Sequence, residues 1–595
     1  MQGQGRTPGV RHVPRTPAHE RGAAAPQVGA RILAGRGARV IATGHDAAAV
    51  FDGMREVWLR VRAALRRPWP PEGLLVAVSA WCIVSANAAF WHALDVAGAA
   101  MGVQFAFGVA LVALHALLFG LLAFGRALKP VLCALLVLTA CASFFATRYA
   151  VLFDVEMIHN VLRTDPAESR ELLSAGLLLH VLLQGVTPAM LVTLVPLRRD
   201  TFGRAAVRRG VFLLAMALLA AGALGSASQG IFSLVRADHA LRYRITPGNV
   251  LVSAVRAVGE RDEVPPGERQ PVATDARRTT TPVMRRPRLL VLVVGETVRA
   301  DHWGLNGYAR DTTPELRARG VVNFPDVRAC GSSTEVSLPC MFSALGRAHY
   351  DRDAIRAQQS LLDVVARTGV GVDWLDNQSG CKGVCAGTGM ETMSAAIDPV
   401  ACGAGRCLDA VLATALGQRL DTAQGDTLLV LHMLGNHGPA YFERYPAPYA
   451  RYRPACASAE LARCAQPAII NAYDNAILYT DAVLGQLIDL LAAHRAHDSA
   501  LLYVSDHGES LGEYGLFLHG APYALAPAQQ LQVPMVWWSA ADSARSMGLD
   551  LACVRSGARA PHAHDDLFPT VLGFFDIATR AYDRTRDIAG RCRAG

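Results

Sequence analysis

The alternation of apolar and polar positions divides the chain near residue 235. Before that point lie five apolar runs, roughly 74–97, 103–124, 129–150, 174–196 and 211–233. Each approaches the ~20 residues that a membrane-spanning helix needs. From residue 288 onward, short aliphatic runs alternate with helical patterns. Strands are predicted at 289–294, 370–375, 427–432, 501–505 and 533–538, and helices at 360–367, 408–420, 468–494 and 565–575. That order predicts an α/β domain with a mostly parallel sheet covered by helices on both faces. Between the halves, Arg236–Val258 mixes Arg and His with Leu, Ile and Val and is predicted as an interfacial helix. Pro265 to Arg286 is rich in Pro, Thr and Arg and reads as a linker.

Charge orients the spans. The net charge is +8, but the arginines are clustered. The first inter-helix loop, near Gly98–Gly102, has no basic residue; the second has Arg126 and Lys129; the fourth has Arg198, Arg199, Arg204, Arg208 and Arg209. Positive loops stay cytoplasmic, so the N-terminus and loops two and four are expected inside. Five crossings then place everything after residue 235 outside the inner membrane. The expected organisation is an Arg-rich, disordered cytoplasmic extension over 1–70, a transmembrane domain of five helices over 71–235, an interfacial helix and linker over 236–287, and a periplasmic catalytic domain over 288–595. An amphipathic patch near Val57–Leu65 interrupts the extension. No signal-peptide pattern opens it, and Met54 is a candidate start. The basic clusters lack aromatic interleaving or a nucleic-acid motif, which argues against a nucleic-acid partner.

The cysteines agree with this topology from different residues. Of 13, ten follow residue 329, eight of them at the short spacings 330/340, 381/385, 402/407 and 456/464. Such density in a non-membrane portion points to disulfides and an oxidising compartment. A zinc–cysteine module is disfavoured, because the regular CxxC spacing is missing.

The candidate chemistry sits at strand ends. Val291-Leu-Val-Val-Gly295 stops at Glu296, with Gly295 expected to give room for the turn. Leu501-Leu-Tyr-Val-Ser505 stops at Asp506-His507-Gly-Glu509. Ligands of open α/β sheets bind at such carboxyl ends. Glu296, Asp506 and His507 offer three Zn²⁺ ligands, and Thr334, between Cys330 and Cys340, offers a fourth. Metal coordination activates a threonine hydroxyl as a nucleophile. The Ser-Leu-Pro-Cys segment after it is a candidate helix start, which favours phosphate. His437 and His519 are candidates for a second metal, for phosphoryl hydrogen bonds or for leaving-group protonation, and Lys382 for neutralising phosphate. Taken singly, Lys382 and His432 read more readily as structural. On the third, outer loop, Asn160, Thr164 and Glu168 recur at i, i+4 and i+8, one polar face of a helix if Pro166 sits in a first turn or kink. Composition alone favours a solvated interfacial helix there; the functional reading is a wall for a lipid headgroup.

Taken together, Val-Val-Gly-Glu296-Thr, Leu-Asn-Gly-Tyr308, Cys330-Gly-Ser-Ser-Thr334 through Ser343, Gly-Cys-Lys382-Gly-Val-Cys, Gly-Asn-His437-Gly-Pro, Tyr473-Asp-Asn, Ser505-Asp-His-Gly-Glu and Leu518-His-Gly, with Met157-Ile-His-Asn160 upstream, resemble the inner-membrane phosphoethanolamine transferases that modify lipid A, the mobile colistin-resistance type included. The resemblance runs from about residue 72 to 592. It implies a fold of alkaline-phosphatase/sulfatase type, one or two Zn²⁺ on Glu296, Thr334, Asp506 and His507, and Thr334 as nucleophile. It further implies Lys382, His437 and His519 on phosphoethanolamine, Asn160, Thr164 and Glu168 on the lipid side, and Glu509 supporting the ligands. Phosphatidylethanolamine would be the donor, lipid A the acceptor, and the protein a monomer among membrane lipids. The implied transfer is ping-pong and lowers the surface charge that attracts cationic polymyxins. Three positions depart from the pattern: the extension before Met54, Gln532 where relatives often have His, and Glu335 where Ala is common. A carboxylate at 335 would tune the charge preference of the site, which leaves the acceptor open. Pairing of Cys553 with Cys592 is a guess. Two alternatives remain: transfer of phosphoethanolamine or phosphoglycerol to periplasmic glucans or core sugars, and a non-catalytic protein that keeps zinc for structure.

Overall fold

The computed structural model describes residues 68–164, 166–259, 265–279, 285–403 and 406–593. The expected disorder up to residue 67, the Val57–Leu65 patch and the Met54 start lie outside the described residues.

The first predicted span is a broken one. Helices α1 (Pro71–Ser85) and α2 (Ala88–Val96) meet at 57°. Asn87 stabilises the break: its side-chain amide donates to the carbonyls of Cys82 (2.9 Å) and Thr246 (2.8 Å). Three further spans are α3 (Met101–Leu122), α4 (Leu128–Arg148) and, after two short helices, a run from Ala175 to Leu194. The short helices are α5 (Val155–Arg163) and α6 (Pro166–Leu172). The Ala175–Leu194 run comprises α7 (Ala175–Val181), a π-turn and α8 (Thr187–Leu194). The π-turn precedes Pro188, which cannot donate to the Gln184 carbonyl; Trp81 Nε1 does so instead, at 3.1 Å. The last span is α9 (Phe202–Ser226).

The polar face expected of one helix is divided between two. Asp154 caps α5 by accepting from Met157 N (2.9 Å), and Thr164 is already extended. Pro166 opens α6, where its missing N–H costs nothing. The predicted interfacial helix over 236–258 is likewise divided, into α10 (Ser228–Ala237) and α11 (Gly248–Gly259). Between them Asp238 accepts from Ala240 N (2.8 Å) and Arg244 (2.9 Å), ending one helix, and Pro247 limits the next. The expected linker is strapped to the α/β domain: Arg277–Arg278 pairs antiparallel with Ile577–Ala578, and Arg278 and Arg285 both bind Asp426.

The domain's main sheet has eight strands: β1 (Arg288–Gly295), β2 (Val322–Arg328), β3 (Gly371–Asp376), β4 (Glu391–Thr392), β5 (Thr427–His432), β6 (Asp498–Ser505), β7 (Gln532–Ser539) and β8 (His562–Ala563). Their order is β8-β2-β7-β6-β1-β5-β3-β4. All pairings are parallel except those of β7, antiparallel to β2 and β6. The five predicted strands are present. β2 escaped notice because Pro325 and Asp326 interrupt its aliphatic run, as an off-centre strand tolerates. β1 and β6 are buried along their whole length, at the centre of the sheet. A helix as long and apolar as the spans, α12 (Gln466–Ala493), packs against one face and buries Tyr473, Ile477, Leu484 and Ile488 in its core.

Hydrogen bonds and ion pairs join the two halves. Glu171 of α6 binds Arg444 and lies 3.9 Å from Arg406; Arg163 of α5 binds Glu335 at 2.8 Å; and Gly176 N donates to Glu460 at 2.9 Å. All five extramembrane cysteine pairs are disulfides, Cys330–Cys340, Cys381–Cys385, Cys402–Cys407, Cys456–Cys464 and Cys553–Cys592. Cys82, Cys133 and Cys141, in the apolar spans, are free thiols.

Candidate metal centre and nucleophile

Register brings the candidate ligands together. Val294 of β1 pairs with His432 of β5, and Gly295 with Ser505 of β6, so Glu296 and Asp506 leave neighbouring strand ends side by side. Gly295 is needed for a reason other than the expected turn. A Cβ there would lie 2.4 Å from the Tyr503 hydroxyl. The turn falls on Thr297, a β-branched residue at φ 63°, a conformation that costs about 1–3 kcal/mol. Contacts hold it there: Thr297 Oγ1 donates to Glu296 (2.6 Å), its N–H donates to Asp506 (3.1 Å), and its carbonyl accepts from Tyr473 (2.7 Å).

One ligand atom from each of Glu296, Asp506 and His507 lies within 4.8 Å of the others, and all three side chains are buried. Thr334 Oγ1 joins them, 3.1 and 3.2 Å from the Glu296 oxygens and 3.3 Å from His507 Nε2. His507 Nδ1 is 2.9 Å from the Gly508 carbonyl, which assigns its proton to Nδ1 and leaves the Nε2 lone pair facing the cluster. Asp506 Oδ2 is buried without a hydrogen-bond partner. Two buried carboxylates, an inward imidazole and an orphaned carboxylate oxygen fit a divalent cation.

The electrostatics of the ion-free cluster agree. Burial pushes Glu296 up, but the hydrogen bond and charge of His507, with His437 and His432 behind it, hold it well below the usual carboxylate range. Burial and the neighbouring Glu296 push Asp506 up to about 6. Burial would neutralise His507, yet Asp506 and Glu296 raise it to about 10. The two carboxylates thus draw positive charge into the cluster, as a cation there would supply it.

Thr334 opens an eight-residue helix (Thr334–Met341), rather than preceding one that starts at Ser337. Pro339 lies inside it, so the Glu335 carbonyl loses its intrahelical donor. Arg356 replaces that donor at 3.2 Å and also grips the Glu335 carboxylate. Arg163 reaches the same carboxylate oxygen, so two guanidinium groups share Glu335 Oε1, while Oε2 is buried without a hydrogen-bond partner. Ser337 Oγ donates to the Asp506 carbonyl and the Cys330–Cys340 bond closes the loop, so the helix that Thr334 opens is fastened to the strand end that carries Asp506.

Beside the ligands is a cavity of about 300 Å³. Asn160 of α5, Thr164 just after it and Glu168 of α6 line it, with His437 and His519 from the α/β domain, so the structure does bring these five together. His437 Nε2 lies 3.5 Å from Glu168, and burial holds this imidazole well below its ordinary value, hence neutral. The His519 ring lies tilted against that of His507, with centroids 4.3 Å apart, and its Nδ1 is 3.4 Å from Glu509. Lys382 does not line this cavity; its ammonium donates to the Ser379 carbonyl and hydroxyl.

Sequence reasoning passed over a supporting layer. His432 is fully buried, with Nδ1 2.8 Å from Asp376 and Nε2 unpartnered 4.0 Å from Glu296. Burial opposes its protonation, but the Asp376 hydrogen bond and charge win and raise it. Gln378 donates to Glu296 at 3.2 Å. The signal was available: His432 ends a strand as Glu296 does, and only the strand pairing was missing.

Comparison with known proteins follows the same division. A family model described as Sulfatase matches residues 288–577, and one described as Phosphoethanolamine transferase EptA/EptB matches residues 111–261. The chain is 36% identical to Phosphoethanolamine transferase EptA of Escherichia coli (strain K12) over 472 residues, 78% of this chain and 86% of that one. It is 37% identical to Phosphatidylethanolamine transferase Mcr-1 of Escherichia coli over 538 residues, 87% of this chain and 98% of that one. The structure of the integral membrane protein lipooligosaccharide phosphoethanolamine transferase A from Neisseria meningitidis aligns with a TM-score of 0.85 at 35% identity, covering 89% of this chain and 100% of that one.

Proposed function

The chain belongs to the phosphoethanolamine transferase family, a multi-pass membrane protein with a sulfatase-like α/β domain, and we propose that it moves phosphoethanolamine from phosphatidylethanolamine to a lipid A phosphate through Thr334. One observation carries the reading: the Thr334 hydroxyl lies within 3.3 Å of both Glu296 and His507 at the start of a helix.

Glu296, Thr334, Asp506 and His507 would hold Zn²⁺, which lowers the pKa of the hydroxyl and offsets charge on the phosphoryl oxygens. Thr334 Oγ1 attacks the phosphodiester phosphorus. The bond from phosphorus to the glycerol oxygen breaks, diacylglycerol leaves with a proton, and phosphoethanolamine stays on Oγ1. Neutral His437 donates an N–H to a phosphoryl oxygen, and His519, with Glu509 beside it, protonates the departing oxygen. The first turn of the nucleophile helix favours the anionic group. Lys382 neutralises phosphate once its ammonium exchanges Ser379 for a phosphoryl oxygen. Asn160, Thr164 and Glu168 receive the headgroup, Glu168 facing its ammonium. An acceptor phosphate oxygen then attacks the same phosphorus, and Oγ1 regains its proton. The transferred amine lowers the surface's negative charge and weakens polymyxin binding.

The proposed topology puts the α/β domain in the periplasm, where its five disulfides form. The test is mass spectrometry of lipid A from cells expressing wild type or Thr334→Ala, together with the intact mass of the purified protein given donor lipid. The expected result is a phosphoethanolamine addition to lipid A and to Thr334 in wild type, and neither in the variant. Undiminished lipid A modification by Thr334→Ala would remove Thr334 from the mechanism.

A further inference from the structure

A second, larger cavity of about 750 Å³ lies at the other end of the helical bundle. It opens where α1 begins, where α3 hands over to α4, and where α8 hands over to α9; Pro71, Leu128, Leu197 and Phe202 mark these points. α4 begins at this cavity and, 21 residues later, ends beside Tyr149, whose hydroxyl donates to Ala459 of the α/β domain. At 1.5 Å per residue that is about 30 Å, the thickness of a bilayer's hydrocarbon core. The cavity therefore faces the leaflet opposite the transferase site.

Its charge is one-sided. Five arginines line it, against two acids. Arg208 and Arg209 are spoken for: Arg208 binds Glu72 (2.9 Å) and Asp200, and Arg209 donates to the carbonyls of Gly120 and Ala123 at 2.8 Å. These contacts make a rigid floor, with Arg209 buried. Arg126, Arg198 and Arg199 are exposed at the rim. The N-terminus of α9, a 25-residue helix, ends at the same place and adds the partial positive charge of its free N–H groups. Apolar wall is supplied by Phe124, Leu128 and Leu197.

We propose that this cavity binds the headgroup of an anionic phospholipid from that leaflet. A rigid floor, three exposed arginines and an apolar flank between helices match a phosphate esterified to a diacylglycerol. The site is separate from donor and acceptor binding and does not depend on the Thr334 mechanism.

The test uses the full chain, delipidated in detergent and titrated with dilauroyl phosphatidylglycerol, with dilauroyl phosphatidylethanolamine and with inorganic phosphate, reading binding by native mass spectrometry. Each arginine near a lipid surface strengthens binding about fivefold, so Arg126→Gln/Arg198→Gln/Arg199→Gln should weaken phosphatidylglycerol binding about a hundredfold. Phosphatidylethanolamine affinity and transfer to a detergent-soluble acceptor should stay at wild-type level. Should the triple variant fail to fold, Arg199→Gln alone should still show the fivefold loss. Unchanged phosphatidylglycerol affinity in a folded variant, an equal loss of phosphatidylethanolamine affinity, or displacement of the lipid by an equimolar amount of inorganic phosphate would each overturn the proposal.

Discussion

Glu335 gives the sharpest test of how the membrane half is coupled to the proposed nucleophile, Thr334. Its side chain is 2% exposed and sits between Arg356, 7% exposed, and Arg163, 20% exposed. Removing one member of a buried ion pair costs about 3–5 kcal/mol, because the remaining charge is left without compensation. In Glu335→Ala the uncompensated charge is chiefly Arg356, since Arg163 retains contact with water, so the lower end, about 3 kcal/mol, applies. For a domain of this size each kcal/mol moves the unfolding midpoint by about 2 °C, which gives a drop of about 6 °C. Arg163→Met should cost only about 1 kcal/mol, because Glu335 keeps Arg356. In the double variant, removing Arg163 should cost nothing further once Glu335 is gone. The functional signature differs from the stability one. Arg163 closes α5 against the nucleophile helix, and α5 carries Asn160 of the proposed headgroup wall. Arg163→Met should therefore raise KM for phosphatidylethanolamine several-fold and leave kcat within about twofold, since no ligand of the centre moves. Thermal unfolding followed by domain fluorescence, with steady-state transfer to a soluble acceptor, reads both. Additive stability losses in the double variant, with an unchanged KM in Arg163→Met, would refute the coupling.

Three further outcomes follow from the same geometry. Asp376→Asn removes the carboxylate that orients His432 toward Glu296, and should weaken metal binding about 10–100-fold by competition with a chromophoric chelator; unaltered affinity would make the pair merely structural. His507 is raised to about 10, above the 6.5 of a free imidazole, so the ion-free protein holds a stability contribution that is complete below pH 6.5 and lost as pH rises through 10. A bound cation must displace that proton, so metal affinity should rise with pH across the same window while ion-free stability falls, and parallel slopes in the two titrations would contradict the assignment. Gly295→Ala should destabilise the domain by about 1–3 kcal/mol and lower metal affinity, because Tyr503 must move and Glu296 with it; paired denaturation and chelator measurements check this.

Much of this was legible in the chain because strand-end chemistry is local. Four aliphatics followed by Gly295-Glu296, and Leu501 to Ser505 followed by Asp506-His507, carry both the strand and its ligand in one short run, and the parallel sheet then forces the ends together. Cysteine spacing worked for the same reason wherever the partners lie within ten residues; Cys553 and Cys592 are 39 apart, and only the fold brings them to a Cα separation of 5.5 Å. What the pattern concealed depends on a partner far away in sequence. Asn87 breaks the first span by bonding to Thr246, which no periodicity reveals. Arg356 lets Pro339 sit inside the nucleophile helix. Glu335 looks, from its position alone, like a charge aimed at the site, and the two arginines that absorb it come from 172 and 21 residues away.

These distant contacts bear on why the protein would transfer rather than hydrolyse. A phosphorylated Thr334 would be exposed to attack by any water that reaches it, so the cavity beside it must be closed by something other than solvent until an acceptor arrives. The α/β domain alone supplies His437 and His519 but no opposite wall. That wall, Asn160, Thr164 and Glu168, comes from the two short helices of the membrane half. Those helices are fixed at two points of opposite sign, Arg163 on Glu335 and Glu171 on Arg444. One clamp ends on the nucleophile helix itself, one residue beyond Thr334. The other ends on Arg444, whose Nε donates to the His437 carbonyl at 2.6 Å. Each anchor of the lipid-side wall is thus one bond from a residue of the proposed reaction. Displacing the wall would disturb nucleophile and phosphoryl ligand together, which is the arrangement expected of a site whose chemistry proceeds only while the membrane half covers it.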